Sequence, residues 1–312
     1  MLYIIISLIV IILLIISIII SNNIVNIIFI KGDKPVLPVF KRAVEETEED
    51  KLKKKKRKEW FESSQKDVYV TTEDNLKLHA HLIENNNSDT FVIIAHGYEG
   101  KGAYMRYFGE KIYDMGYSIL LIDLRSHGKS EGKIYSFGYY EKIDILSWCN
   151  YINLNYTNKK IVLFGVSMGA TAMMMCMGDN RLPNNVKVLI DDCGFTEGYE
   201  QIGHRVKLLH KLPFFPFIPI MSIITKIRLG FSFGDANALK HLKKSNIPCL
   251  FIHGDKDWLV PFTMLDKLYN ACSSNIKEKL VIKDANHIEA ALQDEELYWG
   301  KVKNFIENNI NL

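Results

Sequence analysis

The chain opens on an apolar run unlike anything that follows it. Residues Met1 to Ile30 carry no charged side chain, and Leu2 to Ile20 are almost purely Ile, Leu and Val. Nineteen such residues, at about 1.5 Å each, cross the roughly 30 Å hydrocarbon core of a bilayer, so one transmembrane helix is expected within 1–30. No Lys or Arg precedes the run and no small-residue cleavage site follows it, which argues for an uncleaved anchor over a signal peptide. Lys31, Lys34, Lys41 and Arg42 come after it. The positive-inside rule then predicts a single-pass protein of the cell membrane whose large part faces the cytoplasm.

Next the pattern turns polar. Glu45-Glu46-Thr47-Glu48-Glu49-Asp50 runs directly into Lys51-Leu52-Lys53-Lys54-Lys55-Lys56-Arg57-Lys58. Glu49 and Asp50 stand four residues before Lys53 and Lys54, the order that supports a solvated helix. Residues 31–60 therefore read as a charged linker. A polybasic patch on anionic headgroups is the alternative, weakened by the acidic block beside it.

From Val68 short β-rich runs alternate with helical stretches. Val68–Thr72 and Leu76–Leu82 flank Glu73-Asp74-Asn75 as a hairpin would. Phe91–Ala95, Ser118–Ile122, Ile161–Phe164, Val186–Ile190, Cys249–Ile252 and Lys279–Ile282 follow. Continuous apolar runs of this length are what parallel strands covered on both faces look like. Helices are expected at Tyr104–Met115, Tyr139–Ile152, Met168–Met177, Phe262–Tyr269 and Glu295–Ile306. The alternation predicts an α/β domain over 61–312, a mostly parallel central sheet with helices on both faces. Residues 196–234 contain no strand and read as a cap inserted over the sheet. Pro213, Pro216 and Pro219 within it are expected to preclude a regular helix between Leu212 and Met221. The same stretch is apolar enough to wall a substrate's acyl part or to touch a bilayer.

Composition changes this picture little. At 312 residues and 48% hydrophobic the chain can bury one large core. A net charge of +3, without basic residues spread over aromatic-bearing strands, excludes nucleic acid as a partner. The five cysteines are widely spaced in apolar runs and read as buried thiols. No metal-ligand spacing and no Gly-rich phosphate loop occurs, so neither a metal nor a cofactor is expected.

The chemistry centres on Gly165-Val166-Ser167-Met168-Gly169, set between a strand run and a helical stretch. A serine at the tip of so sharp a turn needs glycines on both sides, because strand and helix leave no room for side chains. The turn pushes the hydroxyl into the open and leaves Met168 N–H at a helix start, where it can hold a developing oxyanion. Ser167 also needs a base, and the base an orienting acid. The strand Cys249–Ile252 leads into His253-Gly254-Asp255-Lys256-Asp257, and Lys279–Ile282 leads into a loop ending at His287. Each of these side chains lies just past a strand's carboxyl end, where sites collect in such sheets.

Four motifs carry a resemblance: His96-Gly97-Tyr98-Glu99-Gly100, Asp123-Leu124-Arg125-Ser126-His127-Gly128-Lys129-Ser130, the serine turn, and His253-Gly254-Asp255-Lys256-Asp257-Trp258-Leu259-Val260-Pro261. From about Val68 onward the chain resembles the α/β-hydrolase superfamily, in particular its bacterial serine aminopeptidase-like and cinnamoyl-esterase-like hydrolases. Serine, acid, histidine is also the order in which that fold carries its triad. The resemblance implies Ser167 as nucleophile, Asp257 as acid and His287 as base. Asp255 is the runner-up acid, and Asp191 or Asp192 a further alternative. Tyr98 N–H and Met168 N–H would form the oxyanion hole. His96 and His127 would shape loops, while His79, His81, His204, His210 and His241 read as surface or cap positions. Arg125 reads as a structural ion pair more readily than as a carboxylate clamp. The implied activity is cleavage of a carboxylic ester, small or lipid-like, through an acyl-enzyme. Peptidase, lipase and acyltransferase chemistry use the same triad, and a membrane-tethered binding module is the rival without chemistry.

Overall fold

A computed structural model of the chain describes residues 1–32 and 47–312. Lys34, Lys41, Arg42, Glu45 and Glu46 lie outside the described residues. The apolar run forms helix α1 (Leu2–Phe29), and the charged segment forms α2 (Glu48–Ser64). Thr47 and Asp50 close a capping box at the start of α2, which satisfies orphan N–H groups of its first turn. Lys53 pairs with Glu49 at 2.7 Å, as its spacing predicts. The far end of α2 is not solvated throughout, since Phe61 is buried and Arg57 pairs with Glu110.

Eight strands form one sheet: β1 (Lys66–Thr71), β2 (Lys77–Ile83), β3 (Thr90–Ala95), β4 (Ser118–Ile122), β5 (Lys160–Val166), β6 (Val186–Asp192), β7 (Cys249–Gly254) and β8 (Lys277–Ile282). Their order is β1-β2-β4-β3-β5-β6-β7-β8. β2 runs antiparallel to both neighbours, and every pairing from β4 to β8 is parallel. Successive residues of a strand face opposite sides, so Phe91, Ile93 and Ala95 enter one core while Val92 and Ile94 enter the other. α3 (Arg106–Asp114), with Ile112, belongs to the second core; α4 (Glu141–Asn155) and α5 (Met168–Cys176) belong to the first. The segment 196–234, read as a cap, holds α6 (Gly198–His210) and α7 (Phe217–Leu229), and α8 (Ala238–Leu242) follows it. α9 (Thr263–Ala271) then joins the first core, and after the short α10 (Ala290–Gln293), α11 (Glu295–Asn309) closes the second.

Two expectations are corrected. The prolines do not preclude a helix: α7 begins at Phe217, with Pro216 capping it and Pro219 in its first turn. A proline there forfeits no hydrogen bond, because first-turn N–H groups have no intrahelical partner. His79 and His81 are not surface residues, being 0% and 7% exposed. They lie on β2, which β1 and β4 flank on either side.

α1 is divided in its surroundings. Residues 2–16 are exposed, apolar and charge-free, and the helix is long enough to cross a membrane. Ser21, Ile24, Val25, Ile28 and Phe29 are buried against the first core, a stripe at helical spacing. Phe29 stands among Phe137, Phe231 and Phe233, with ring centres 5.3, 5.8 and 5.5 Å away. Beyond the helix Lys31 N donates to Lys133 O, and Tyr135 N donates to Phe29 O.

Candidate active site

Ser167 caps α5 with φ 55° and ψ −120°, a backbone conformation that costs a non-glycine residue of order 1–3 kcal/mol and clusters at functional sites. The surroundings dictate the flanking glycines. A Cβ on Gly165 would come 2.3 Å from Ala170 Cα, and one on Gly169 would come 2.6 Å from the carbonyl oxygens of Ala95 and His96. Ser167 N donates to Asp192 O at 2.8 Å, which ties the turn to the end of β6.

The loops after β7 and β8 converge on this serine. His287 Nε2 lies 2.9 Å from Ser167 Oγ, and His287 Nδ1 lies 2.7 Å from Asp257 Oδ2. The other carboxylate oxygen, Asp257 Oδ1, accepts from Leu259 N and Val260 N at 2.9 and 2.8 Å. Burial opposes the ionisation of Asp257, but the charge of His287 and the hydrogen bonds of His253 and His287 outweigh it. They hold the carboxyl well below the usual range. Asp255 is turned away, its Oδ1 accepting from Asp284 N at 2.6 Å. Asp192 accepts from the Tyr298 hydroxyl at 2.7 Å and Asp191 from Gly194 N at 3.0 Å. Burial, more than any neighbour, raises these two carboxyls to about 7 for Asp191 and about 6 for Asp192.

The turn after β3 abuts the serine. A Cβ on Gly97 would stand 3.2 Å from Ser167 Cβ, so the Gly97–Tyr98 backbone borders the hydroxyl. Two buried histidines hold this turn. His96 Nε2 accepts from Leu124 N at 3.2 Å, and His127 Nε2 accepts from Glu99 N at 3.1 Å. Their Nδ1 atoms donate to the carbonyls of Gly97 and Arg125. Burial lowers both below the ordinary histidine value, so both act as neutral rings. Met168 opens α5, where its N–H has no carbonyl inside the helix to bond. Arg125 is held by Asp144 and Asp74, each at 2.7 Å, and has no freedom to clamp a ligand.

Two features could not be read from the chain. The Tyr98 hydroxyl donates to Ile28 O of α1 at 2.7 Å. Arg205 of α6 stacks on the Tyr98 ring, 4.3 Å from its centre. Among the described residues two clusters bring metal-binding atoms within 4.8 Å of one another, Asp67 with His79 and His81, and Cys193 with Asp257 and His287. In the first, a cation would have to displace Lys129, which already pairs with Asp67. In the second, it would have to break the His287–Asp257 hydrogen bond.

A profile of the serine aminopeptidase S33 family matches residues 86–211. Protein YqkD of Bacillus subtilis, uncharacterised, is 26% identical over 253 residues, 80% of this chain and 82% of its own. The Saccharomyces cerevisiae membrane protein YNL320W, also uncharacterised, is 24% identical over 76% of this chain and 78% of its own. Among solved structures, the Pyrococcus furiosus esterase Pf2001 superposes with a TM-score of 0.66 at 28% identity, over 80% of this chain and 92% of that one.

Proposed function

We propose that this chain, a member of the α/β-hydrolase superfamily, is a membrane-anchored serine hydrolase that cleaves carboxylic esters through an acyl-enzyme. The observation that carries the reading is the hydrogen-bonded line from Ser167 Oγ through His287 to the buried carboxylate of Asp257. Asp257 keeps the His287 proton on Nδ1, so that Nε2 is free to take the proton of Ser167 as Oγ bonds to the ester carbon. The oxyanion is held by the N–H groups of Met168 and Tyr98. Collapse breaks the bond to the alkoxy oxygen, which receives the proton from His287 Nε2. Water, deprotonated by the same nitrogen, then releases the acid and regenerates Ser167.

Ester rather than peptide cleavage is favoured by the likeness to an esterase at 28% identity. A fluorophosphonate is expected to label Ser167 in the wild type and not in Ser167→Ala. Ser167→Ala and His287→Ala are expected to lower hydrolysis of a short-chain aryl ester by about 10⁴-fold or more. Full activity in either variant would overturn the reading, and product formed only with an added alcohol or amine would make the protein an acyltransferase. Leu2 to Ile19 of α1, exposed but for the half-buried Ser17 and about 27 Å long, would cross the bilayer, with Lys31 following on the cytoplasmic side. Protease shaving of the large domain from intact cells would reverse that orientation.

A further inference from the structure

Helix α6 bridges the two loops that flank Ser167. Gln201 Nε2 donates to Leu259 O at 3.1 Å and His204 Nε2 to Trp258 O at 2.8 Å, both in the loop that carries Asp257. On the other side the Arg205 guanidinium lies over Tyr98, next to the glycine that touches Ser167. Gln201 and Arg205 are one helical turn apart and share a face.

Both residues are incompletely satisfied. Arg205 is 6% exposed, and among the described residues no carboxylate lies at ion-pair distance from it. Glu99 is the acid whose field reaches it, without closing a pair. Burial pulls the guanidinium down from its usual value, yet an arginine stays charged. A cation–π contact offsets only part of what it costs to bury an ion without a counter-charge. Gln201 is 3% exposed, and its Oε1 is buried without a donor. Arg125 makes the contrast, since it is equally buried but held by two acids. On the last turns of α6 and its C-cap, His204, Lys207, Leu208 and Lys211 line a depression whose lysines would attract an anion.

We infer that Arg205 is the recognition group for an anion, a carboxylate or a phosphate, carried by the ester that Ser167 attacks, with Gln201 Oε1 accepting from a neighbouring hydroxyl or N–H. This rests on the serine-hydrolase reading. It makes Arg205 a specificity residue, because the anion it holds is remote from the scissile bond.

The test uses the full-length protein in detergent micelles and three p-nitrophenyl esters of similar length: the pentanoate, the glutarate monoester and the 4-phosphonobutyrate. Wild type is expected to prefer at least one anionic ester over the pentanoate by about 10- to 100-fold in kcat/KM, the worth of a hydrogen bond to a charged group. The better of the two identifies carboxylate or phosphate. Arg205→Gln is expected to abolish that preference through KM, the anionic ester losing at least about 10-fold more than whatever the pentanoate loses when the packing on Tyr98 is relaxed, and Arg205→Lys to retain part of it. Equal loss on all three esters would mean that Arg205 only packs on Tyr98, and the inference would fall. The wild-type comparison needs no variant: pentanoate hydrolysis with no preference for either anion overturns the inference alone. Failure to cleave any ester, with no fluorophosphonate labelling, overturns the hydrolase reading beneath it.

Discussion

Replacing Phe29 by Ala is expected to destabilise the α/β domain, although the residue ends the helix that reads as a membrane anchor. Phe29 is fully buried and its ring meets three other aromatic rings. Truncating a buried Phe costs about 3–5 kcal/mol, a large part of the roughly 5–15 kcal/mol by which a domain is stable. At about 2–4 °C per kcal/mol for a domain near this size, the melting temperature should fall by roughly 6–20 °C. Circular dichroism of full-length protein in mild detergent is the assay. Ile9→Ala is the internal control, since Ile9 is 52% exposed within the apolar half of α1 and should shift the midpoint by little. By the same reasoning a fragment beginning at Trp60 loses Ile24, Val25, Ile28 and Phe29 from the core. At about 1.5–3 kcal/mol each, that is roughly 6–12 kcal/mol, enough to leave the fragment unfolded or aggregating. A midpoint for Phe29→Ala no lower than that of Ile9→Ala would refute the claim that this end of α1 is part of the domain.

Two further outcomes follow from the acids. Asp257→Asn should lower kcat on a neutral aryl ester by about 10⁴-fold by favouring the wrong His287 tautomer, while Asp255→Asn and Asp191→Asn should stay within a few-fold of wild type; equal losses in all three would remove Asp257 from its role. Asp191→Asn should also alter the pH dependence of stability. The folded Asp191 carboxyl is held near 7 and that of Asp192 near 6, above an unfolded value of about 3.9. The native state thus binds more protons than the unfolded chain in that window, and stability falls as pH rises through it. The permanently neutral amide of the Asp191→Asn variant should flatten the melting-temperature profile between about pH 5 and pH 7, and an unchanged slope would contradict this.

The strands β3 to β7 were legible because a strand buried on both faces leaves few polar residues to interrupt its apolar run, β1 and β2 because they alternate about a turn, and the mostly parallel sheet followed from the helices between the strands. The serine turn was legible for a related reason, since Gly165 and Gly169 touch backbone directly and no other residue fits. What stayed hidden depends on relations across the fold. The start of α7 was missed because three prolines count against a helix until one knows that Pro219 falls in its first turn. The docking of α1 was missed because an all-apolar helix has no polar face to mark the buried side. One signal was available: Ser21, Asn22, Asn23 and Asn26 interrupt the last third of the run. Asn22 and Asn26 accept hydrogen bonds from Arg228 of α7. Arg205 was invisible because its significance lies in having no carboxylate at ion-pair distance among the described residues, which no spacing reveals.

These hidden relations meet at Tyr98. Its hydroxyl is fixed by the backbone of α1, its ring face is covered by Arg205 of the cap, and its ring edges adjoin Tyr135 and Phe137 at 5.1 and 5.5 Å. Phe137 in turn carries Phe29. The backbone of the same residue borders Ser167 through Gly97. An N–H donor stabilises an oxyanion only if its position is set before the charge develops, because reorienting a loose dipole costs what the hydrogen bond would return. Tyr98 is held from the anchor side and from the cap side at once, so loosening either should relax the same turn. The end of α1 is therefore better understood as a wall of the candidate site than as a tether that happens to precede it.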